Sequence, residues 1–168
     1  HVKNKQKMNS IDVIDKILPL LQFETADDFY YLQILQRKKE NPQIGSNSRV
    51  IKNYYITSTE HLLKHYDEIK ALCHQFNARA ALRLNKRSFE KVAFKTIQNV
   101  ANSISNREYA FIKNSYDRAC GQGHNDSNKK WIVDIDGECD DFKYDVSSWI
   151  NSMCSPVGDK LIIELPTK

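Results

Sequence analysis

Long hydrophobic runs are absent from this sequence: its apolar stretches extend over a handful of residues, whereas a membrane-spanning helix needs about 20. No secretory signal is recognisable at the N-terminus, and we treat residues 1–7 as an added or frayed leader. The four cysteines include no Cys-x-x-Cys pair, and their wide scatter favours reduced thiols over a disulfide framework. We therefore predict a cytoplasmic protein that has no membrane partner.

A strong charge imbalance is absent as well. The formal net charge of +4 permits contact with nucleic acid but does not require it. With 40% hydrophobic and 27% charged residues, the composition is that of an ordinary globular protein and not of a disordered chain. The 168 residues suffice for one domain with a buried core, or for such a domain with an appended helical piece.

The N-terminal part of the chain has a helical pattern. Apolar residues recur there at helical spacing, and Thr25 with Asp28 three residues later resembles a capping pair for a second helix that runs to about Lys39. The segment Asn41–Ser48 is rich in Pro, Gly, Asn and Ser, which discourage regular structure. We therefore assign residues 1–48 to an N-terminal helical extension and linker.

From residue 49 to 168, strand and helix patterns alternate. The predicted strands are 50–57, 78–85, 130–136 and 161–165, and the predicted helices are 58–76, 88–104, 107–119 and 142–153. The apolar stripe expected to face inward on the second of these helices is Phe89, Val92, Ala93, Ile97, Val100, Ala101 and Ile104. This alternation predicts an α/β (α+β) core in which an RRM-like or ferredoxin-like sheet is covered by helices. Because one predicted strand has arginines on one side, we expect the sheet to keep an open face.

An acidic pair lies in the most apolar of these strands. Asp134 and Asp136 alternate with hydrophobic residues, so their side chains project from the same face, about 6 to 7 Å apart at the α-carbons. Glu164 on the polar side of the last strand is a third candidate carboxylate. Oxygen ligands of this kind favour Mg²⁺ or Mn²⁺. In the alternative reading, Asp136 ends the strand in an Asp-Gly turn and Asp134 faces water.

A basic cluster precedes the acidic pair in sequence. Arg79 and Arg83 share one face of a predicted strand, and Lys86 and Arg87 follow in the turn into the helix that Ser88 caps. Guanidinium groups and a helix N-terminus are suited to binding phosphates, either of a nucleotide or of a template backbone. The alternative reading is a solvated basic strand edge whose charge deters edge-to-edge association.

Two segments together resemble a known family. The strand that ends in Val133–Gly137 and the arginine-bearing segment Ala81–Ser88, with a further strand after one helix, look like the archaeo-eukaryotic primase and primase-polymerase superfamily. The resemblance implies a modified recognition-motif sheet whose Asp-x-Asp motif, here Asp134 and Asp136, binds divalent metal. It further implies a nucleotidyltransferase that makes primers or extends nucleic acid in replication. The partners it implies are a single-stranded template, nucleoside triphosphates, and a helicase or another replication protein.

One motif of that family has no counterpart in this sequence. A later strand in the family carries a Ser-x-His motif that contacts the nucleotide, yet no histidine follows His124 here. We therefore expect the catalytic core to be truncated at Lys168. Two other functions stay open from the residues alone: a nucleic-acid-binding module without catalytic activity, and a metal-dependent nuclease.

Cysteine and histidine offer a second kind of metal site. The four residues with suitable side chains are Cys120, His124, Cys139 and Cys154. Zinc takes four ligands of these types, and some primases carry zinc modules. The spacing is looser than in the usual zinc motifs, so the sequence leaves zinc binding open.

Overall fold

A computed structural model of the chain describes residues 10–45, 48–122, 129–132, 140–153 and 160–163. The helices in these ranges are α1 (Ser10–Ile17), α2 (Thr59–Gln75), α3 (Phe89–Ser105), α4 (Ser115–Gln122) and α5 (Asp140–Ser152), with short 3-10 helices at Leu18–Leu20 and Tyr109–Asn114. The strands are β1 (Asp28–Arg37), β2 (Ser48–Ile56), β3 (Arg79–Leu82) and β4 (Arg87–Ser88). The predicted α+β class is confirmed.

The chain divides by its internal contacts into two units. The sheet unit consists of Leu20–Lys130, and the terminal unit combines His1–Pro19 with Trp131–Lys168. In the terminal unit, α5 confirms the helix predicted at 142–153. No helix within the described ranges is long and apolar enough to cross a bilayer.

Strand β1 lies in the centre of the sheet, and the helix predicted after the Thr25 cap, running to about Lys39, is wrong. β1 pairs antiparallel with β2 on one side and with β3 and β4 on the other. Its first five residues are all buried, because elements cover both of its faces there. A strand buried on both faces lacks the polar and apolar alternation that identifies a strand in sequence. The boundary predicted after residue 48 therefore falls inside β2, one residue after the start of a strand that pairs with β1.

The edge opposite β2 is a strand with an interruption. β3 pairs with β1 as far as Leu82, and pairing resumes in β4 at Arg87. Between them the chain loops out over residues 83–86, although the amide of Arg83 still donates to the Tyr31 carbonyl at 2.9 Å. The predicted strand 78–85 thus ends early, and its last residues form the loop that brings Lys86 and Arg87 to the sheet.

Helices pack on both faces of this sheet. On one face α2 contacts the strands, and its His65 ring lies 5.4 Å from the ring of Tyr54. On the other face a cluster joins β1 to α3 and α4, and its members are Phe29, Tyr31, Val92, Ala119 and Cys120. This second face is less covered toward the end of β1, where Gln33 and Leu35 are half-buried and Arg37 is exposed. The predicted open face therefore exists over part of one side of the sheet.

Helix α3 is oriented differently from the prediction. Val92 is buried, but Ile97 is 66% exposed and Ile104 is 52% exposed, while Asn99 and Ser103 are buried. The residues of the predicted inward stripe that are exposed are Ala93, Ile97, Ala101 and Ile104. Asn99 is satisfied in the interior because its amide donates to the Ser115 carbonyl at 3.4 Å and to Gln122 at 3.3 Å. The expectation that the apolar stripe faces the core is therefore wrong for most of this helix.

The remaining C-terminal predictions are met in part. A 3-10 turn followed by α4 occupies most of the helix predicted at 107–119. The described portions of the two last predicted strands, 130–132 and 161–163, contain no strand. The other residues of those two strands lie outside the described ranges.

Candidate functional site

The predicted metal ligands lie outside the described residues. This holds for Asp134, Asp136 and Glu164, and among the zinc candidates for His124, Cys139 and Cys154. Within the described ranges, no group of three or more His, Cys, Asp or Glu side chains is arranged to hold a metal ion. Metal binding by the acidic pair therefore stays a prediction from the sequence.

Cys120, the remaining zinc candidate, is part of the core. Its side chain is fully buried in the cluster with Phe29 and Tyr31. Burial raises the pKa of the Cys120 thiol to about 12, with a further contribution from the nearby Asp117 carboxylate. The thiol is therefore protonated at neutral pH, whereas a zinc ligand has to be a thiolate.

Arg79 and Arg83 lie on the partly uncovered face of the sheet. Arg79 pairs with Leu35 of β1, and Arg83 follows two residues after Ala81, which pairs with Gln33 on the same face. The Arg79 guanidinium forms an ion pair with the carboxylate of Glu40. Arg83 is exposed, and its guanidinium has no ion pair among the described residues. Of the four basic residues predicted to bind phosphate, Arg83 is thus the exposed one that no ion pair holds among the described residues.

Lys86, by contrast, is buried against two acids. Its ammonium lies 3.0 Å from a carboxylate oxygen of Glu24 and 3.4 Å from one of Asp28. The hydrogen bond to Glu24 is the main cause that raises the pKa of Lys86. The same Asp28 oxygen accepts the backbone amides of Glu24 and Thr25 at 2.8 and 3.0 Å. Lys86 therefore ties the start of β1 to the loop before β4.

Arg87 is also engaged inside the protein. The residue is 5% exposed, its Nε donates to the Cys120 carbonyl at 2.8 Å, and a second guanidinium nitrogen donates to the Asn85 carbonyl. Because Cys120 lies near the C-terminus of α4, the guanidinium also interacts favourably with that helix dipole. A phosphate would reach Lys86 or Arg87 only by displacing these internal partners, so the geometry gives both residues a structural role.

The loop that carries Arg83 also holds Lys130, which lies just before the acidic segment, the stretch of sequence that contains Asp134 and Asp136. The Asn85 side chain donates to the Lys130 carbonyl at 3.1 Å and accepts from the Lys130 amide at 2.7 Å. Two reciprocal hydrogen bonds of this kind fix one residue's backbone much as a strand pair does. Lys130 precedes Asp134 by four residues in the sequence. Asn85 therefore fixes the backbone of Lys130 beside the loop that carries Arg83.

The same face of the sheet carries a polar network around Asp117 that the sequence does not predict. One oxygen of the Asp117 carboxylate accepts the hydroxyls of Tyr55 at 2.7 Å and of Tyr31 at 3.2 Å. The amide of Gln33 donates to the Tyr31 hydroxyl at 2.9 Å and to Asn53 at 3.2 Å. Burial and then the Asp117 carboxylate raise the pKa of the Tyr31 hydroxyl. The only sequence signal for this network is a glutamine within an otherwise apolar stretch of β1.

This network borders a groove between β2 and the first turn of α4. The groove has a volume of about 560 Å³, within the range of small-molecule sites. Its polar lining residues are Gln33, Lys52, Asn53, Asn114, Asp117 and Arg118. Lys52 is engaged by the carboxylate of Glu68 on α2, whereas Arg118 is exposed and stacks its guanidinium 5.3 Å from the Phe111 ring centroid. The groove thus combines amides, one carboxylate and one accessible cation.

The described geometry therefore comprises the exposed Arg83, the fixed backbone of Lys130 and one polar groove with the exposed Arg118. None of these features identifies a family by itself. Comparison of the chain with protein-family models, with curated proteins and with solved structures finds no match.

Proposed function

We propose that the chain is a metal-dependent nucleotidyltransferase of the primase-polymerase type, acting in the cytoplasm to make primers or to extend nucleic acid. The observation that carries this proposal is the pair of hydrogen bonds by which Asn85 holds Lys130. These bonds hold Lys130, which precedes Asp134 and Asp136 in the sequence, beside the loop that carries the exposed Arg83. Phosphoryl transfer needs acids for a metal and cations for the phosphates at one place.

The sequence separations are short. Asp134 follows Lys130 by four residues, and Asn85, which holds Lys130, follows Arg83 by two. The acids proposed for the metal therefore come soon after a residue that is fixed beside the arginine loop.

The roles of the residues follow from their chemistry. Asp134 and Asp136, with Glu164 as a third carboxylate, offer only oxygen ligands, which fits Mg²⁺ or Mn²⁺ and not zinc. A bound ion of this kind would neutralise the triphosphate and ease deprotonation of the attacking 3′-hydroxyl. Arg83, with Arg79 beside it on the same face, would bind phosphate oxygens of the nucleotide or of a single-stranded template. A helicase or another replication protein would supply that template.

The test compares the chain with its Asp134→Ala/Asp136→Ala variant. We expect Mn²⁺ binding, followed by electron paramagnetic resonance, to be lost in the variant, whereas Asp67→Ala on the exposed side of α2 should bind Mn²⁺ as the parent chain does. In the same samples, any lengthening of labelled single-stranded DNA by nucleoside triphosphates should be confined to the parent chain. Equal Mn²⁺ binding by the parent and the double variant would refute the proposal.

A second candidate function is nucleic-acid binding without catalysis. The observation that favours it is the exposed guanidinium of Arg83 on a sheet face that the helices leave partly uncovered. In that case, Arg83→Ala should weaken the binding of single-stranded DNA, and the aspartate variant should bind it as well as the parent chain and leave its length unchanged. Shortening of the strand would instead indicate the nuclease.

A further inference from the structure

Asp117 is a preorganised hydrogen-bond acceptor. Its Oδ1 atom accepts both tyrosine hydroxyls, from Tyr55 at 2.7 Å and from Tyr31 at 3.2 Å, and these bonds fix the carboxylate in position. Its Oδ2 atom accepts no hydrogen bond from any described residue, and Asp117 lines the groove beside β2. A carboxylate oxygen held rigidly at a groove can bind a ligand without first paying for side-chain ordering.

The neighbouring amides leave a defined set of groups for a ligand. The Nε2 atom of Gln33 is used by Tyr31 and by the Oδ1 atom of Asn53. Over the described part of the chain, the side-chain oxygen Oε1 of Gln33 and the side-chain nitrogen Nδ2 of Asn53 then have no hydrogen-bond partner. On the sheet side the groove therefore presents acceptors from Asp117 and Gln33 beside a donor from Asn53, and Asn114 and Arg118 add further donors at its rim.

Around Asp117, this set of groups fits an uncharged part of a ligand that is rich in hydroxyl donors, such as a sugar. A cationic ligand would be repelled by Arg118 at the groove and by the exposed Arg83 on the same face of the sheet. Two adjacent hydroxyls can donate together to a carboxylate, as the 2′ and 3′ hydroxyls of ribose do to an acidic residue in nucleotide sites. The cation of Arg118 at the rim suits a phosphate attached to the sugar.

We propose that this groove binds the ribose of a ribonucleotide, with Asp117 accepting its 2′ and 3′ hydroxyls. The site would make the protein prefer ribonucleotides over deoxyribonucleotides. The inference rests on the proposed function for the identity of the ligand as a nucleotide. It adds the sugar class and a recognition residue outside the acidic segment.

The experiment titrates the full chain with adenosine and cytidine monophosphates and with their 2′-deoxy forms, in the presence of EDTA, and follows binding by nuclear magnetic resonance. Without divalent metal the acidic segment is not needed for the readout. We expect the ribonucleotides to bind about tenfold more tightly than the deoxy forms, which corresponds to roughly 1.4 kcal/mol. Equal affinity of the two forms for the parent chain would overturn the inference.

Two variants locate the preference. Asp117→Asn keeps an oxygen for the tyrosine hydroxyls and should bind ribonucleotides and deoxyribonucleotides equally, whereas the matched control Asp67→Asn should keep the tenfold difference. Asn114→Trp fills the groove from an exposed position and should abolish binding of both forms without lowering the melting temperature. If Asp117→Asn lowers the melting temperature, the test of the site is Asn114→Trp. Unchanged nucleotide binding by Asn114→Trp would then contradict the proposed site.

The two proposals can fail separately. If the Asp134→Ala/Asp136→Ala variant binds Mn²⁺ and extends DNA as the parent chain does while the ribose preference holds, the nucleotidyltransferase proposal fails and the ribose site stands. If the double variant loses Mn²⁺ binding but Asp117→Asn keeps the full ribose preference, the ribose site fails and the nucleotidyltransferase proposal stands.

Discussion

Arg83 and Arg87 are four residues apart, yet the structure gives them opposite roles. Arg87 is buried and donates to the carbonyls of Cys120 and Asn85, whereas Arg83 is exposed on the sheet face. We expect Arg87→Met to cost stability and Arg83→Met to cost nucleic-acid affinity. Each variant serves as the control for the other.

The magnitude for Arg87→Met follows from its contacts. A hydrogen bond from a charged donor contributes about 1.5 to 3 kcal/mol, and the variant loses two of them and leaves a buried carbonyl without its donor. Relief of the desolvation cost of the buried guanidinium offsets part of that loss. We therefore expect the free energy of unfolding to fall by about 2 to 4 kcal/mol. For the exposed Arg83, the change should stay within about 0.5 kcal/mol.

Urea denaturation followed by circular dichroism measures the stability of both variants. Binding of single-stranded DNA, measured across a range of salt concentrations, should show a slope reduced by roughly 0.7 for Arg83→Met, as for the loss of one phosphate contact. Arg87→Met should keep the parent slope under conditions in which it is folded. An Arg87→Met protein of parental stability that has lost DNA binding would refute the structural role of this residue.

Three further predictions concern the core. Val92→Ala on the buried face of α3 should lower the free energy of unfolding by about 2 kcal/mol, whereas Ile97→Gln on its exposed face should change it by less than about 0.5 kcal/mol in the same urea experiment. Cys120, kept as the only cysteine, should react with a thiol reagent at pH 8 only as fast as the protein unfolds, because the side chain is fully buried and out of reach of the reagent, and burial also raises its pKa to about 12; fast reaction in the native protein would contradict this. Burial works to raise the pKa of Asp28, but hydrogen bonds from two backbone amides and from Lys86 outweigh it, so the pKa is lowered. The stabilising contribution of this carboxylate is therefore present above pH 5 and lost as the pH falls below about 4, and the stability difference between the parent chain and Asp28→Asn should shrink over that interval.

The fold class could be predicted from the sequence because most of the alternating elements after residue 49 carry clear periodicity. Strand β1 could not, since Phe29, Tyr30 and Tyr31 are buried on both faces and show no alternation. Asp28 of the apparent capping pair has a different role in the structure. Its carboxylate accepts hydrogen bonds from two backbone amides of the preceding turn and from the ammonium of Lys86 in a distant loop. Tertiary contacts thus overrode a local signal that had suggested a helix.

The site was predictable only where it depends on strand alternation. The shared face of Arg79 and Arg83 follows from the two-residue period of a strand. The internal partners of Lys86 could not be read from the sequence, because Asp28 lies 58 residues away. The network of Tyr31 and Asp117 joins residues 86 positions apart, so no local pattern announces it.

The central position of β1 has a practical consequence for anyone who trims this protein. A fragment of residues 49–168, which starts just after the apparent linker, would lack the central strand β1 and would leave β2, β3 and β4 without their pairing partner. Their unpaired backbone groups would then be free to pair with other copies of the fragment, which favours aggregation. Shortened versions of the chain should therefore begin upstream of Leu20, so that β1 and the turn before it are retained.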